Sequence, residues 1–536
     1  MSSVLALHDS HNASICEVNN GNIIYFQEAE RLDKNKKSSN WKILLEKYKN
    51  KIFDKIIFVH TGPDNNESYE KFIKNELLLR NIKYSEFVFE VHHHFFHACS
   101  AFFNSGFKNS FALIIDGNGS GTLFQDRGAS DLIASILDSV GIHKRYDTEI
   151  VSLYYLHNNK FKEIFKVFQS KENYVDGKHI FLNTFSLGNV YTIIKKLLNF
   201  KEEGSVMGLS SYVKNVTSSI NLFTKNKYNH FTSVQSSIYD LTMLDTKIKK
   251  DPQFICKLVQ DELEKIVLKY VSNIVKNKKR NLCVSGGVFQ NTVLNSKILD
   301  VCPNLYVDPF ADDSGLSMGA ALWYSNKNNN KKINSLYLGD SPDYINLPKS
   351  TGYKTTPKEV AKLISEGNTV AIYQGKNELG KRALGNRSFL FDPRDQYAKD
   401  KINLLKNREW FRPTAGTVLY EYANEWFDLK SKKETPFMSY VFNVKKQGVP
   451  GITHVDNTCR IQTLKKEQNF HYYNLINEFY KITNVPILLN TSFNLGGEPL
   501  VNSIHDAIST LTNCDGKFKI IYFPEIGKVY ETNDFI

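Results

Sequence analysis

Cysteine is scarce and scattered. Seven occur in 536 residues, at Cys16, Cys99, Cys256, Cys283, Cys302, Cys459 and Cys514, and no two form a C-x-x-C pair. This excludes a disulfide framework and a thiolate zinc cage, and it fits a reducing, cytoplasmic compartment. No apolar run approaches the length that spans a bilayer, so no membrane segment is expected. Residues 1–12 lack a basic region followed by an apolar core, so they do not read as a signal peptide. Tandem repeats are absent. So is any excess of acid: 68 Lys and Arg face 56 Asp and Glu, a net charge of +12. That balance suits anionic partners such as nucleotides and phosphates. The lysines are spread along the chain rather than gathered into one arm, so direct nucleic-acid binding is not favoured.

What remains is an ordinary globular composition, 41% hydrophobic and 23% charged. The length suggests roughly two to four domains. Residues 326–332 have no apolar side chain, and the stretch from Tyr324 to Ser335 reads as a linker. We place the main boundary near residue 345, giving domains 1–345 and 346–536.

The densest chemistry lies in Val91–Ala101, which holds His92, His93, His94 and His97. His93 and His97 are spaced i, i+4, so on a helix both imidazoles leave one face and can share a metal ion. Ala98, Ser100 and Ala101 are small and would let that helix approach a neighbour closely. The bland alternative is an unliganded helix start with His92 and His94 in solvent.

Val4–Leu7 reads as a buried strand, followed by a polar turn at His8–Asn12, a return strand at Ala13–Val18, a turn at Asn19–Asn22 and a strand at Ile23–Phe26. Such opening hairpins resemble the sugar-kinase and actin-like superfamily. Phe111–Ile115 is a fully apolar strand that ends in Asp116-Gly117-Asn118-Gly119-Ser120-Gly121. An acid at a strand tip followed by glycines suits a metal or phosphate site, or a plain glycine-rich hairpin. Leu282–Val284 is a strand that turns through Ser285-Gly286-Gly287-Val288 into a helix containing Asn291. That unit places backbone amides where a nucleotide can meet them, or is simply a tight turn. Asp312-Asp313-Ser314-Gly315 opens another helix. In the second half, Arg382 to Ser388, Arg408 to Pro413, His454 to Arg460 and Asn490 to Asn494 hold arginines among glycines, Ser and Asn, a pattern suited to a small phosphorylated anion.

Taken together, these blocks resemble the O-carbamoyltransferase family that includes the NodU-type nodulation and the tobramycin carbamoyltransferases. The resemblance runs from the first strand to about Pro524. It rests on many motifs in the family's order: His11-Asn12-Ala13-Ser14, His93 to Ala98, Gly208-Leu209, Gly286-Gly287-Val288 with Asn291, Asp313-Ser314-Gly315, Arg382 to Ser388, Arg408 to Pro413 and Asn490 to Asn494. It implies an α/β protein with an N-terminal ASKHA domain (actin- and sugar-kinase-like, a duplicated ribonuclease H-like fold) and a C-terminal YrdC-like α/β domain. The implied C-terminal activity is formation of carbamoyl adenylate from carbamoyl phosphate and ATP with Mg²⁺. The implied N-terminal activity is carbamoyl transfer to an acceptor hydroxyl beside a divalent metal, iron(II) in the best match.

Carried over residue by residue, the metal ligands are His93, His97 and Asp313, with Asp116 as a weaker fourth. His11 is the candidate general base. Gly117, Gly286, Gly287 and Asn291 hold the nucleotide. Arg382, Arg408, Arg412, Arg460, Ser492 and Asn494 hold carbamoyl phosphate and ATP. The sequence departs from the family at Asn12, where Asp is usual, at Lys381 in place of Pro, at Thr414-Ala415-Gly416-Thr417 and at Ser210-Ser211. Two other classes compete. A metabolite kinase of the ASKHA superfamily leaves everything after residue 345 without a role. A nucleic-acid- or tRNA-modifying transferase would draw on the basic charge.

Overall fold

A computed structural model of the chain describes residues 3–61, 67–117, 119, 148–157, 160–170, 173–182, 186–215, 224–225, 232–233, 251–276, 279–325, 331–348 and 351–535. Asn118, Ser120 and Gly121 of the glycine-rich turn, and residues 326–330 of the expected linker, lie outside these. Tyr324 and Ser325, assigned above to the linker, instead finish the helix Gly315–Ser325. The chain forms two compact units. One comprises Met1–Ile23 and Trp41–Lys332, the other Ile24–Asn40 and Ile333–Ile536. The segment Ile24–Asn40 therefore belongs with the C-terminal unit.

The first unit opens with β1 (Ser3–His8), β2 (Ser14–Asn19) and β3 (Asn22–Glu28), whose later part belongs to the second unit, then β4 (Ile52–Val59) and β5 (Lys83–Glu90). The sheet order is β3-β2-β1-β4-β5. β1 runs antiparallel to β2 and parallel to β4, and β4 runs parallel to β5. Val4, Leu5, Ala6 and Leu7 are all fully buried. A parallel strand covered on both faces needs such an unbroken apolar run.

The next strands are β6 (Asn109–Ile115), β7 (Thr148–His157), β8 (Lys160–Gln169), β9 (Tyr174–Asp176), β10 (His179–Leu182), a two-residue ladder of β11 (Thr224–Lys225) with β12 (Thr232–Ser233), then β13 (Leu282–Ser285) and β14 (Leu305–Val307). Their main sheet runs β14-β13-β6-β7-β8-β10-β9. Read from β8, the order β8-β7-β6-β13-β14 repeats that of the first sheet. β6 is antiparallel to β7 and parallel to β13, which is parallel to β14. One strand plan is thus used twice. In each copy the parallel strands end together, and the second copy brings Asp116, Ser285 and Asp308 to neighbouring strand ends.

The second unit is a mixed sheet of ten strands, β15 (Tyr353–Lys354), β16 (Val370–Tyr373), β17 (Arg387–Phe391), β18 (Ala415–Leu419), β19 (Phe427–Asp428), β20 (Val441–Val444), β21 (Thr458–Leu464), β22 (Ile487–Ser492), β23 (Ile520–Phe523) and β24 (Lys528–Glu531), in the order β15-β24-β23-β16-β17-β22-β18-β21-β20-β19. The helices Pro357–Ser365 and Ile504–Thr512 both start at capping boxes, Thr356 with Glu359 and Ser503 with Asp506. Each box satisfies amide donors that the first helical turn leaves open. The architecture is α/β with mixed sheets. All seven cysteines are buried and free, and no helix among the described residues is long and apolar enough to cross a membrane.

Candidate metal centre and arginine cluster

The helix His93–Ser105 begins at the histidine cluster, as its spacing predicts. It lies against the helix Gly315–Ser325 at backbone contact. A Cβ on Gly319 would stand 1.9 Å from the Phe96 carbonyl oxygen and 3.0 Å from the Ser100 nitrogen. Only glycine permits that approach. The loop before Gly315 is tied down as well. Ser14 donates to the Ser314 carbonyl at 2.8 Å, and Asp312 accepts from the Ser314 hydroxyl at 2.5 Å. These contacts deliver Asp313 to His93 and His97, while β6 delivers Asp116.

Four ligand atoms, one each from His93, His97, Asp116 and Asp313, lie within 4.8 Å of one another, and all four residues are buried. His93 Nε2 is 3.2 Å from His97 Nε2, 3.3 Å from Asp116 Oδ2 and 3.5 Å from Asp313 Oδ1. His97 Nε2 is 3.6 Å from both carboxylates. Two donors each about 2.1 Å from one ion stand roughly 3.0–3.4 Å apart. The separations that involve a histidine therefore suit a shared divalent ion, and all four donors lie close enough to converge on one. Two imidazoles and two carboxylates suit a borderline ion such as iron(II), cobalt(II) or zinc(II).

The electrostatics agree. Burial disfavours a charged imidazole, yet Asp313 and Asp116 outweigh it and push His93 up to about 10. His97 moves the same way. Burial also disfavours the carboxylates' charge, and the histidines nonetheless hold Asp116 and Asp313 below the usual carboxylate range. The metal-free cluster thus retains protons where an ion would displace them.

Asp116, His97 and Asp313 each have a neighbour behind them. Asp116 Oδ1 accepts from the backbone N–H of Gly117 at 2.7 Å and of Gly287 at 3.1 Å. Gly286 has φ +96°, and a Cβ there would stand 2.4 Å from the Ile115 carbonyl oxygen. His97 Nδ1 meets the Ser285 hydroxyl at 3.3 Å. His11 Nε2 stands 3.3 Å from Asp313 Oδ2, with its side chain 59% exposed. Asn12 has φ +63°, a conformation that Asn tolerates well.

Of the nucleotide candidates, Gly117, Gly286 and Gly287 surround Asp116. Asn291 is turned elsewhere. Its Oδ1 caps the helix Thr292–Val301 through Leu294 N at 3.0 Å, and its Nδ2 donates to Gln260 at 2.9 Å and to Tyr191 at 3.2 Å. His92 is exposed, but His94, expected in solvent under the bland reading, is fully buried. His94 Nδ1 meets Ser152 Oγ at 2.8 Å, and burial pulls its imidazole down to about 3.

The arginine candidates form a cluster within the second unit. Burial, then the guanidinium groups of Arg382, Arg412 and Arg408, all act against the charge of Arg460. Arg412 has Glu409 at 3.7 Å, and Arg408 Nε donates to Asn403 at 2.6 Å. Four guanidiniums gathered in one place are an arrangement suited to an anion. Ser492 and Asn494 meet at a residue that sequence reasoning missed. Lys406 is 4% exposed, and its Nζ donates to the Ser492 carbonyl at 2.6 Å, the Ser492 hydroxyl at 2.8 Å and Asn494 Oδ1 at 2.8 Å. Its place in the basic block two residues before Arg408 was the available signal. Arg387, by contrast, is spent on the backbone: it donates to the carbonyls of Gln374, Asn386 and Gly375 and lies 3.7 Å from the Tyr373 ring centroid.

The carbamoyltransferase N-terminus family model matches residues 24–322, more than half of the chain, and the carbamoyltransferase C-terminus model matches residues 361–523. The chain belongs to the carbamoyltransferase family. An uncharacterised protein of Methanocaldococcus jannaschii is 31% identical over 552 residues, covering 96% of this chain and 97% of its own. Nodulation protein NolNO of Sinorhizobium fredii is 33% identical over 492 residues, covering 82% of this chain and 65% of its own length. Nodulation protein NolO of Bradyrhizobium diazoefficiens is 37% identical over 283 residues, covering 48% of this chain and 51% of its own. As a carbamoyltransferase the protein is an enzyme, and the NodU-type branch expected from the motifs is the one these relatives represent.

Proposed function

We propose that the protein is an ATP-dependent O-carbamoyltransferase acting in two stages. In the C-terminal unit, carbamoyl phosphate gives up its phosphate to water, and the resulting carbamate oxygen attacks the α-phosphorus of ATP. Pyrophosphate leaves and carbamoyl adenylate forms. Arg382, Arg408, Arg412 and Arg460 neutralise the phosphates and hold the reacting oxygens in line, which is most of what such a displacement requires. Lys406, with Ser492 and Asn494, closes the polar end of that cradle. Mg²⁺ accompanies the ATP.

In the N-terminal unit the carbamoyl group passes to an acceptor hydroxyl and AMP leaves. His93, His97, Asp116 and Asp313 hold a divalent ion, iron(II) by the family resemblance. When bound, it supplies a Lewis acid for the carbamoyl carbonyl. His11, exposed on one side and anchored against Asp313 on the other, takes the proton from the acceptor hydroxyl. Gly117, Gly286 and Gly287 allow a nucleotide close to the backbone, and Asn291 steadies that turn. The acceptor class is a hydroxylated sugar, nucleoside or natural product. The repeated β3-β2-β1-β4-β5 plan supports the actin- and sugar-kinase-like reading of this unit.

The observation that carries the proposal is the convergence of two imidazoles and two carboxylates in a carbamoyltransferase chain. The test is incubation with ATP and labelled carbamoyl phosphate. Pyrophosphate and carbamoyl adenylate support the proposal; ADP as product would favour a kinase. His93→Ala should keep adenylate formation and lose transfer. Arg408→Ala should do the reverse when ready-made adenylate is supplied. Equal loss of both half-reactions in both folded variants would overturn this division of labour.

A further inference from the structure

At the ends of β13 and β14 lies a buried pair, Ser285 and Asp308, that the proposed chemistry leaves unused. Ser285 is fully buried and Asp308 is 2% exposed. The Ser285 hydroxyl donates to Asp308 Oδ2 at 3.1 Å and meets His97 Nδ1 at 3.3 Å. Asp308 Oδ1 is occupied by the backbone N–H of Phe310 at 3.1 Å, and the Asp308 N–H donates to the Val284 carbonyl at 3.0 Å. The carboxylate is therefore fixed with one oxygen aimed at Ser285.

We propose that Ser285 and Asp308 are positioning residues that fix His97 in the tautomer a metal requires. The inference rests on the metal-centre reading above. A serine hydroxyl carries one proton. Given to Asp308, it leaves an oxygen lone pair facing His97, so Nδ1 must carry the ring proton and Nε2 presents its lone pair to the quartet. Given instead to His97, it would cost the buried Asp308 carboxylate its Ser285 donor and leave the Ser100 hydroxyl as its remaining side-chain partner, the less favourable arrangement for a buried charge. Hydrogen-bonded partners behind a ligating histidine set its tautomer and orientation. Here the partner acts through an intervening hydroxyl.

Asp308→Asn tests the direction of the relay. Because Phe310 N–H needs an oxygen at the first position, the new amide NH₂ must face Ser285. The serine proton then turns towards His97 Nδ1 and favours the wrong tautomer. Ser285→Ala removes the bridge with the loss of one atom, and it is the deciding variant should Asp308→Asn fail to fold. Cobalt(II) affinity of the full chain, measured against a competing chelator, should fall roughly 10–100-fold in each variant. The double variant should be no worse than either single one, since the two residues act in series. In the zinc(II)-loaded protein, ¹⁵N NMR of labelled histidine, with His97 assigned by His97→Gln, should show an Nδ1–H whose exchange with solvent both variants accelerate. Variants that fold and bind cobalt(II) as the parent does, or a parent His97 without a proton on Nδ1, would overturn the relay and leave the quartet standing. A parent chain that binds no cobalt(II) would sink the quartet and the relay together.

Discussion

Gly319 and Phe96 touch through their backbones: a Cβ at position 319 would stand 1.9 Å from the Phe96 carbonyl oxygen. This contact sets the distance between the helix that carries His93 and His97 and the helix that follows Asp313. Gly319→Ala must push the two apart, since backbone cannot yield as a flexible side chain can. We expect a stability loss of about 1–3 kcal/mol or more from overpacking, together with weaker cobalt(II) binding. Gly204, with nothing within 4 Å of its Cβ position, is the control, and Gly204→Ala should be neutral or slightly stabilising. Chemical denaturation and cobalt(II) titration of both variants decide the point. A Gly319→Ala protein that matches the parent in both measurements would show that the helices need not touch.

The histidine pair and Asp116 were legible because their signals are local: the i, i+4 spacing of His93 and His97 and the acid at the tip of an apolar strand each appear within a few residues. Asp313 entered only through the family resemblance, and the fold brings all four together. His94 shows where local reading stops. Helical periodicity says only that it points away from His93, whereas its burial depends on β7 supplying Ser152. Asn291 looks like a nucleotide contact in sequence and becomes a helix cap once Gln260 and Tyr191 close on it. Lys406 reads as one more surface lysine, because its partners Ser492 and Asn494 lie 86 and 88 residues further on. The segment Ile24–Asn40 is continuous in sequence with the first unit and packs with the second, a rearrangement to which no periodicity points.

Arg460 carries the second prediction. Burial and three neighbouring guanidiniums disfavour its charge, so an anion that relieves this repulsion should stabilise the fold. Phosphate or pyrophosphate, added at about 100 times its dissociation constant, should stabilise the parent by about 2.7 kcal/mol. Arg460→Ala should lose most of that protection and raise the KM for carbamoyl phosphate by roughly 100-fold, with cobalt(II) binding unchanged. Thermal melts with and without phosphate read the first effect directly. An Arg460→Ala protein that phosphate protects as well as the parent would remove Arg460 from the cradle.

Arg31 carries the third. It pairs with Glu28 at 2.9 Å, with both side chains buried, and donates to the Gly380 carbonyl at 3.0 Å, two residues before Arg382. Nearby, Gln27 and Tyr25 each donate to Asp340 at 2.9 Å. Arg31→Ala leaves the Glu28 carboxylate buried without its cation, a loss of about 3–5 kcal/mol. It also frees the loop that carries Arg382. Residues 333–536 expressed alone should be poorly folded for the same reason, and appending residues 24–40 should rescue them. Circular dichroism and denaturant unfolding of the two fragments test this. Equal stability with and without the appended segment would mean that Ile24–Asn40 only rests on the unit.

Acid sensitivity provides the last test. Burial alone would raise the Glu163 carboxyl, but Lys178, His179 and Lys166 outweigh it and hold it at about 2, against 4.5 when free. Lys178 Nζ stands 2.7 Å away and His179 Nε2 2.9 Å away. A carboxyl held below its unfolded value is the deprotonated partner of a native ion pair, while the unfolded chain takes up the proton first. Its contribution is therefore complete above about pH 4.5 and drains away as pH falls towards about 2. Because the site is partly open to solvent, that contribution is no more than about 1 kcal/mol. Glu163→Gln should accordingly destabilise the protein slightly at neutral pH and flatten the decline in melting temperature between about pH 4.5 and about pH 2. Unchanged pH dependence in this variant would shift the acid lability to Glu149, which is buried and paired with Lys166 on the same strands.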